Sequence, residues 1–251
     1  MKFKLNSPTC SGFNSIDHSS NSILLGSCFS DEIAKKMTLS GFQNTSNPLG
    51  TIFHPIALAN VIDLALDKAP VLHIFKKNDR YYSWFCSHLF SDSSEHSLNE
   101  KLLIILNDFK RTLQNTKNIF ITFGTSWGYL HRDLDLVVAN CHKVDQSHFD
   151  KSLTSVDDMF GHWKKVLEKL KVLNPDLQFI FTVSPVRHLK DGLIENNRSK
   201  ARLFELISQL EKFTTVFYYP SYEILIDELR DYRFFAEDLI HPNQLAINYI
   251  W

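Results

Sequence analysis

Ile23-Leu24-Leu25-Gly26-Ser27-Cys28-Phe29-Ser30-Asp31 reads as a short apolar strand that breaks at a Gly-Ser turn into a helix. Such a junction exposes a small hydroxyl beside a helix N-terminus and its unpaired N–H groups. Outward from it, apolar runs rich in β-branched and aromatic residues alternate with longer stretches of helical period. That is the pattern of parallel strands joined by crossover helices. Strands are expected at 22–26, 42–46, 118–123, 178–183 and 214–218, with helices at 29–39, 54–67, 97–115, 152–173 and 197–212. The runs 118–123, followed by Gly124, and 178–183, followed by Ser184-Pro185, read as central strands buried on both faces. Two hairpins are expected as excursions from the sheet, at 71–90 and 127–138, and Ser91-Asp92-Ser93-Ser94 reads as a loop that caps the next helix. Ligands of open α/β sheets bind outside the carboxyl ends of the strands, so the residues just after each strand are the ones to inspect.

A chain of 251 residues fits a single domain spanning 1–251. With 27 basic and 28 acidic residues the formal charge is -1, so no net field draws the protein to nucleic acid, membranes or strongly charged substrates. A small neutral or weakly charged substrate fits better. No apolar run approaches the roughly 18 residues of a spanning helix. Met1-Lys2-Phe3-Lys4-Leu5-Asn6 has a basic start with no apolar stretch behind it, so no signal peptide is expected. Cys10, Cys28, Cys86 and Cys141 show no CxxC spacing, which suits reduced thiols in the cytoplasm. The apolar pattern Leu245, Ile247, Tyr249-Ile250-Trp251 reads as the start of a helix, so truncation at the C-terminus is one reading of the chain's end.

The chemistry concentrates at the two ends. Ala236-Glu237-Asp238-Leu239-Ile240-His241-Pro242 sets a carboxylate and an imidazole three residues apart, ahead of a helix opening at Gln244. A serine hydroxyl is a poor nucleophile until a base removes its proton, and that base needs an acceptor to fix its tautomer. Ser27, His241 and Asp238 meet this requirement. Cys28 is a rival nucleophile, because a thiol at a helix N-terminus is open to acidification. His131, Cys141, His142 and His148 could be read as metal ligands, yet their spacings match no zinc pattern well, and neither metal nor cofactor is expected.

Six blocks together resemble the GSCFA family: Gly26-Ser27-Cys28-Phe29-Ser30, Asn47-Pro48-Leu49-Gly50-Thr51, Phe123-Gly124-Thr125-Ser126-Trp127, Asn140-Cys141-His142-Lys143, Ser184-Pro185-Val186-Arg187-His188, and Asp227 to Arg233 with Asp238-Leu239-Ile240-His241-Pro242. That family looks like a branch of the SGNH, or GDSL-type, hydrolases. The resemblance implies a three-layer α/β/α, flavodoxin-like domain with a mostly parallel sheet, in which Ser27 is the nucleophile, His241 the general base and Asp238 its orienting carboxylate. It implies an oxyanion hole drawn from the Ser27 amide, the Gly50 amide and a third donor. The strand ending in Phe123-Gly124 is followed by Thr125-Ser126 where the wider pattern has an asparagine, so Thr125 or Ser126 takes that place. Arg187, His188 and Trp127 are expected to face the substrate. The implied activity is hydrolysis of an ester or acetyl group on a small molecule or carbohydrate. The alternative is a domain of the same fold that binds a ligand or partner without turnover.

Overall fold

The computed structural model describes residue 12 and residues 16–251; Cys10 and the Met1–Asn6 segment lie outside the described residues. The first half runs β1 (Ser22–Gly26), α1 (Cys28–Leu39), β2 (Asn44–Ser46), α2 (Pro55–Leu66), β3 (Ile74–Lys77), β4 (Arg80–Ser83), β5 (Ser91–Asp92) and α3 (Glu95–Asn115). The second half runs β6 (Asn118–Phe123), β7 (Trp127–His131), β8 (Leu136–Val137), β9 (Phe149–Leu153), α4 (Val156–Leu173), β10 (Gln178–Val183), α5 (Gly192–Phe213), β11 (Phe217–Tyr218), α6 (Ser221–Glu223) and α7 (Gln244–Ile250). Five strands form one parallel sheet in the order β11-β10-β6-β1-β2. Taken in sequence order these strands lie as 2-1-3-4-5, the flavodoxin-like arrangement, whose crevice opens where the winding reverses between β1 and β6.

Alternation along the strands divides the core into two. Ile23, Leu25, Ile119, Ile121, Phe123, Phe179, Phe181 and Val183 point to one face, where they pack with the apolar stripes of α2, α3, α4 and α5. Leu24 and Phe120 point to the other, against Ala34 and Met37 of α1. Beyond them, α7 closes on Phe29, Leu225 and Phe235. The sheet is thus covered on both faces, which explains why its central strands read as continuous apolar runs. Near their carboxyl ends the second face turns polar. Thr122 accepts from Ser30 Oγ at 2.8 Å, and Thr182 pairs with Ser221 Oγ at 2.5 Å, tying α1 and α6 to the strand ends.

Several elements depart from the expected bounds, each for a local reason. Phe42 packs on His18 and its N–H caps Met37 O at the end of α1, so β2 begins only at Asn44. Phe149–Leu153 pairs with β7 as a strand, which delays α4 to Val156 behind its Ser155 cap. Thr214 ends α5, leaving β11 two residues long. The expected hairpins form as β3–β4 and β7–β8, and Ser94 does cap α3 through Ser97 N–H. Each hairpin gains a third strand, and the two small sheets join side by side: Phe75 stacks on Trp84 at 3.7 Å, Ala139 N–H donates to Trp84 O, and Lys77 reaches His142 O. This accessory layer reaches the loop after β10, where Lys190 bonds Tyr129 and Lys151 pairs with Asp191.

The turn after β1 is fixed from three sides. Gly26 N–H donates to Asn47 Oδ1 at 2.8 Å, Gly26 O accepts from Ile52 N–H, and Ser27 N–H donates to Thr122 O at 3.1 Å. Gly26 has φ +118°, and a Cβ there would sit 2.1 Å from Thr122 O. Only glycine satisfies both constraints. Gly26→Ala should therefore cost about 2–4 kcal/mol, from backbone strain plus the clash; urea denaturation, with the midpoint lowered at an unchanged slope, checks it.

His54 caps α2, its Nδ1 accepting Ile56 N–H and its Nε2 pairing with Thr154 Oγ1 at 2.9 Å. Complete burial pushes its pKa down to about 3, and burial likewise pushes His142 down to about 4. An unfolded chain's imidazole titrates near 6.5, so on acidification the unfolded state takes up protons that the folded state refuses. Stability from these two groups is complete above about pH 6.5 and is lost as pH falls toward 4 and then 3. Melting temperatures should fall accordingly on acidification below that point, and His54→Gln should flatten the slope.

Candidate active site

Three strand ends converge at the crevice. Ser27 follows β1, Gly124 follows β6 and Ser184 follows β10. Ser27 is the N-cap residue of α1, but its hydroxyl caps nothing. Fully buried, it donates instead to Ser184 Oγ at 3.0 Å, while Ser184 Oγ also accepts Val186 N–H. The positive end of α1 thus lies beside the hydroxyl.

The second half of the site is a tight loop between α6 and α7. Asp238 Oδ1 accepts the N–H groups of Ile240 and His241, and its Oδ2 meets His241 Nδ1 at 2.6 Å. Leu239 takes a left-handed φ of 59° to close this turn, and Ala236 N–H donates back to His241 O. The backbone N–H and imidazole of His241 and the Ile240 N–H hold the Asp238 carboxyl down at about 2. His241 carries its carboxylate on Nδ1, leaving Nε2 for other work. Cys28, Phe29, Val186, His241 and Pro242 line a common pocket of about 230 Å³ over the start of α1. Among the described residues no hydrogen bond joins Ser27 to His241; the Ser27 hydroxyl bonds Ser184.

Arg187, expected to face the substrate, is bonded to the loop that carries His241. Its N–H donates to Ile240 O, its guanidinium donates to Leu239 O at 2.9 Å, and that group lies 4.0 Å from the centre of the Phe235 ring. It clamps the loop that carries His241. His188 does reach the centre. Its ring packs edge-on to Phe53 beside Gly124, and its Nε2 is buried without a hydrogen-bond partner. Burial, with the positive charges of Lys200 and His241 nearby, pushes its pKa down to about 3, so the ring is neutral at ordinary pH. A Cβ on Gly124 would meet Phe53 at 2.9 Å and His188 Nε2 at 3.1 Å, so a small residue is needed there.

The expected oxyanion donors are already engaged. Gly50 N–H donates to Asn47 O at 2.7 Å and Ser27 N–H to Thr122 O. Thr125 Oγ1 pairs with Ser199 Oγ and accepts Trp127 N–H, while Ser126 is bonded to Ser199 as well. These groups hold the strand ends in place. Trp127 lies on β7 with Lys151 Nζ 4.9 Å from its ring centre and its own Nε1 buried without a partner. Burial, then the negative charge of Asp31, raises the Cys28 thiol, which removes the case for an acidified cysteine. Cys28, Cys86 and Cys141 are free thiols, and no group of three or more His, Cys, Asp or Glu among the described residues could hold a metal ion. His142 Nε2 is instead bonded to Ser83 O. Also among the described residues, no helix is long and apolar enough to cross a membrane.

Ser184 and Lys200 are two residues of this centre to which the sequence assigned no role. Lys200 lies on the stripe Asn196, Ser199, Leu203, Leu206, Ile207 and Leu210 that α5 buries, so a lysine on an apolar helical stripe was the available signal.

Comparison with solved structures finds a carbohydrate esterase family 3 protein from Talaromyces cellulolyticus (TM-score 0.40, 10% identity, 92% of each chain covered). A serine-to-alanine variant of an acetyl esterase with acetate ion gives the same four figures. An acetyl xylan esterase from the rumen bacterium Butyrivibrio proteoclasticus follows (TM-score 0.38, 13% identity, 83% of this chain and 57% of that one). No curated protein matches the sequence. The sequence profile of the GSCFA family matches residues 21–251, from the residue before β1 through all of α7. The chain belongs to the GSCFA family.

Proposed function

We propose that the protein is a serine hydrolase of the SGNH type, acting on an ester or acetyl group of a small molecule or carbohydrate. The observation that carries this reading is the Asp238–His241 pair, bonded at 2.6 Å, in one pocket with the first turn of α1 behind Ser27. In the reaction, the Ser27 hydroxyl turns from Ser184 toward His241. His241 Nε2 takes its proton as the oxygen attacks the substrate carbonyl, and Asp238 steadies the imidazolium. The helix end of α1 and the unpaired Nε2 of neutral His188, as a donor, face the developing oxyanion. His241 then protonates the departing alcohol, and water, activated by the same base, frees Ser27 from the acyl group. The engaged amides of Ser27 and Gly50 favour a second reading, a binding domain without turnover.

A fluorophosphonate probe separates the two, because only an activated serine is labelled. Labelling at Ser27, abolished in Ser27→Ala, is expected, as is hydrolysis of short acyl nitrophenyl esters. Ser27→Ala and His241→Ala should each lower kcat roughly a thousandfold or more, with the double variant little worse than either. No labelling and no turnover above the Ser27→Ala background, with a metabolite still raising the melting temperature, would overturn the hydrolase reading.

Arg187→Ala should lower kcat about 10- to 100-fold with little change in KM, since it loosens the His241 loop without touching substrate. Because His188 is held at about 3, it stays neutral down to that value, and any titration of the rate between about pH 5 and 8 belongs elsewhere. His188→Gln should accordingly lower the rate without changing the shape of the profile on its acid side.

A further inference from the structure

Lys200 is the buried charge that the mechanism above leaves unused. It is 2% exposed, yet among the described residues it has no carboxylate partner. Its Nζ donates to Gly124 O and to Ser184 O, both at 2.7 Å. These carbonyls belong to the first residues after β6 and β10, so one ammonium ties together the two strand ends beside the turn that carries Ser27. The titratable groups facing it come from three other elements: the Cys28 thiol of α1, the His188 ring after β10, and Tyr222 of α6, whose ring centre is 5.9 Å away. None of these offers a full negative charge at neutral pH.

Burying an unpaired ammonium is costly, and an apolar side chain of similar length could fill the same space at less cost. A site that retains one does so for something the charge or its hydrogen bonds accomplish. Ser184 O is held by Lys200 while Ser184 Oγ receives the Ser27 hydroxyl, so the lysine fixes the residue against which the nucleophile rests. Gly124 O is held while Gly124 flanks His188 Nε2, and the same positive charge opposes protonation of that ring.

We propose that Lys200 is the positioning residue of the hydrolytic centre, locking the ends of β6 and β10 so that Ser184 presents Ser27, with the lysine's charge placed beside the His188 ring. The proposal rests on the serine-hydrolase reading for its kinetic part. Burial pulls the Lys200 pKa down to about 7, so its charge is half lost at that value, nearly complete about two pH units below it and gone about two units above it.

The test pairs kinetics with an NMR titration of the His188 ring in wild type, Lys200→Met and Lys200→Arg. In the wild type, His188 should stay neutral well below the ordinary imidazole range. In Lys200→Met its titration should move upward, and kcat should fall at least tenfold with KM within threefold, while Lys200→Arg restores part of both. A wild-type His188 that titrates near the ordinary value would overturn the proposal, and this measurement stands even if Lys200→Met does not fold. So would a Lys200→Met enzyme with wild-type kcat and an unmoved His188. A variant that loses kcat, KM and melting temperature together, with His188 unmoved, would assign Lys200 to packing alone and overturn it too. Failure of the wild type to be labelled at Ser27 would instead strike the hydrolase reading, and the shift of His188 between wild type and Lys200→Met would then decide whether the charge sits where the proposal has it.

Discussion

The contact between Gly26 and the backbone of Thr122 is the constraint on which the site depends. At that point β1 approaches β6 so closely that no side chain fits, and the Ser27 N–H is drawn onto Thr122 O. The chain must then turn sharply, and α1 starts at once with its positive end against the strand ends. Asn47 completes the arrangement by accepting Gly26 N–H while its own amide donates to Asp31 on α1. A polar network of this kind, buried and satisfied, fixes a single geometry more firmly than apolar packing alone.

The main sheet was legible because both of its faces are covered. The runs 118–123 and 178–183 stand as strands over the same residues, since burial on two sides demands unbroken apolar sequence. Legibility failed where tertiary context overrides local pattern. Phe149–Leu153 carries charges at Asp150 and Lys151, and the helix expected over 152–173 overlaps its last two residues, yet it pairs with Trp127–His131 because an edge strand of a small sheet can keep one side in water. The seven residues of α7 are readable from Asn243, whose side chain accepts Ala246 N–H.

The chemistry of the site was half legible for a related reason. Asp238 and His241 are neighbours in sequence, and their bond is set by one local turn. The partners of Ser27 are remote: Ser184 lies 157 positions away, and Lys200 acts through carbonyls that have no side-chain signature. Arg187 illustrates the converse. Its position after a central strand suggested a substrate contact, but a guanidinium within reach of an exposed carbonyl and two aromatic rings is consumed by them.

The accessory layer bears on access to the crevice. Its two sheets are built from segments inserted between α2 and α3 and between β6 and α4; they meet through aromatic contacts around Trp84, and Leu72, Phe85 and Cys86 of the first segment are buried in the main core. They touch the loop after β10 through Lys190 and Lys151, at the rim of the crevice, and contribute no strand to the main sheet. Changes in the outer strands of this layer can therefore alter what reaches the strand ends without altering the strand pairing of the main sheet.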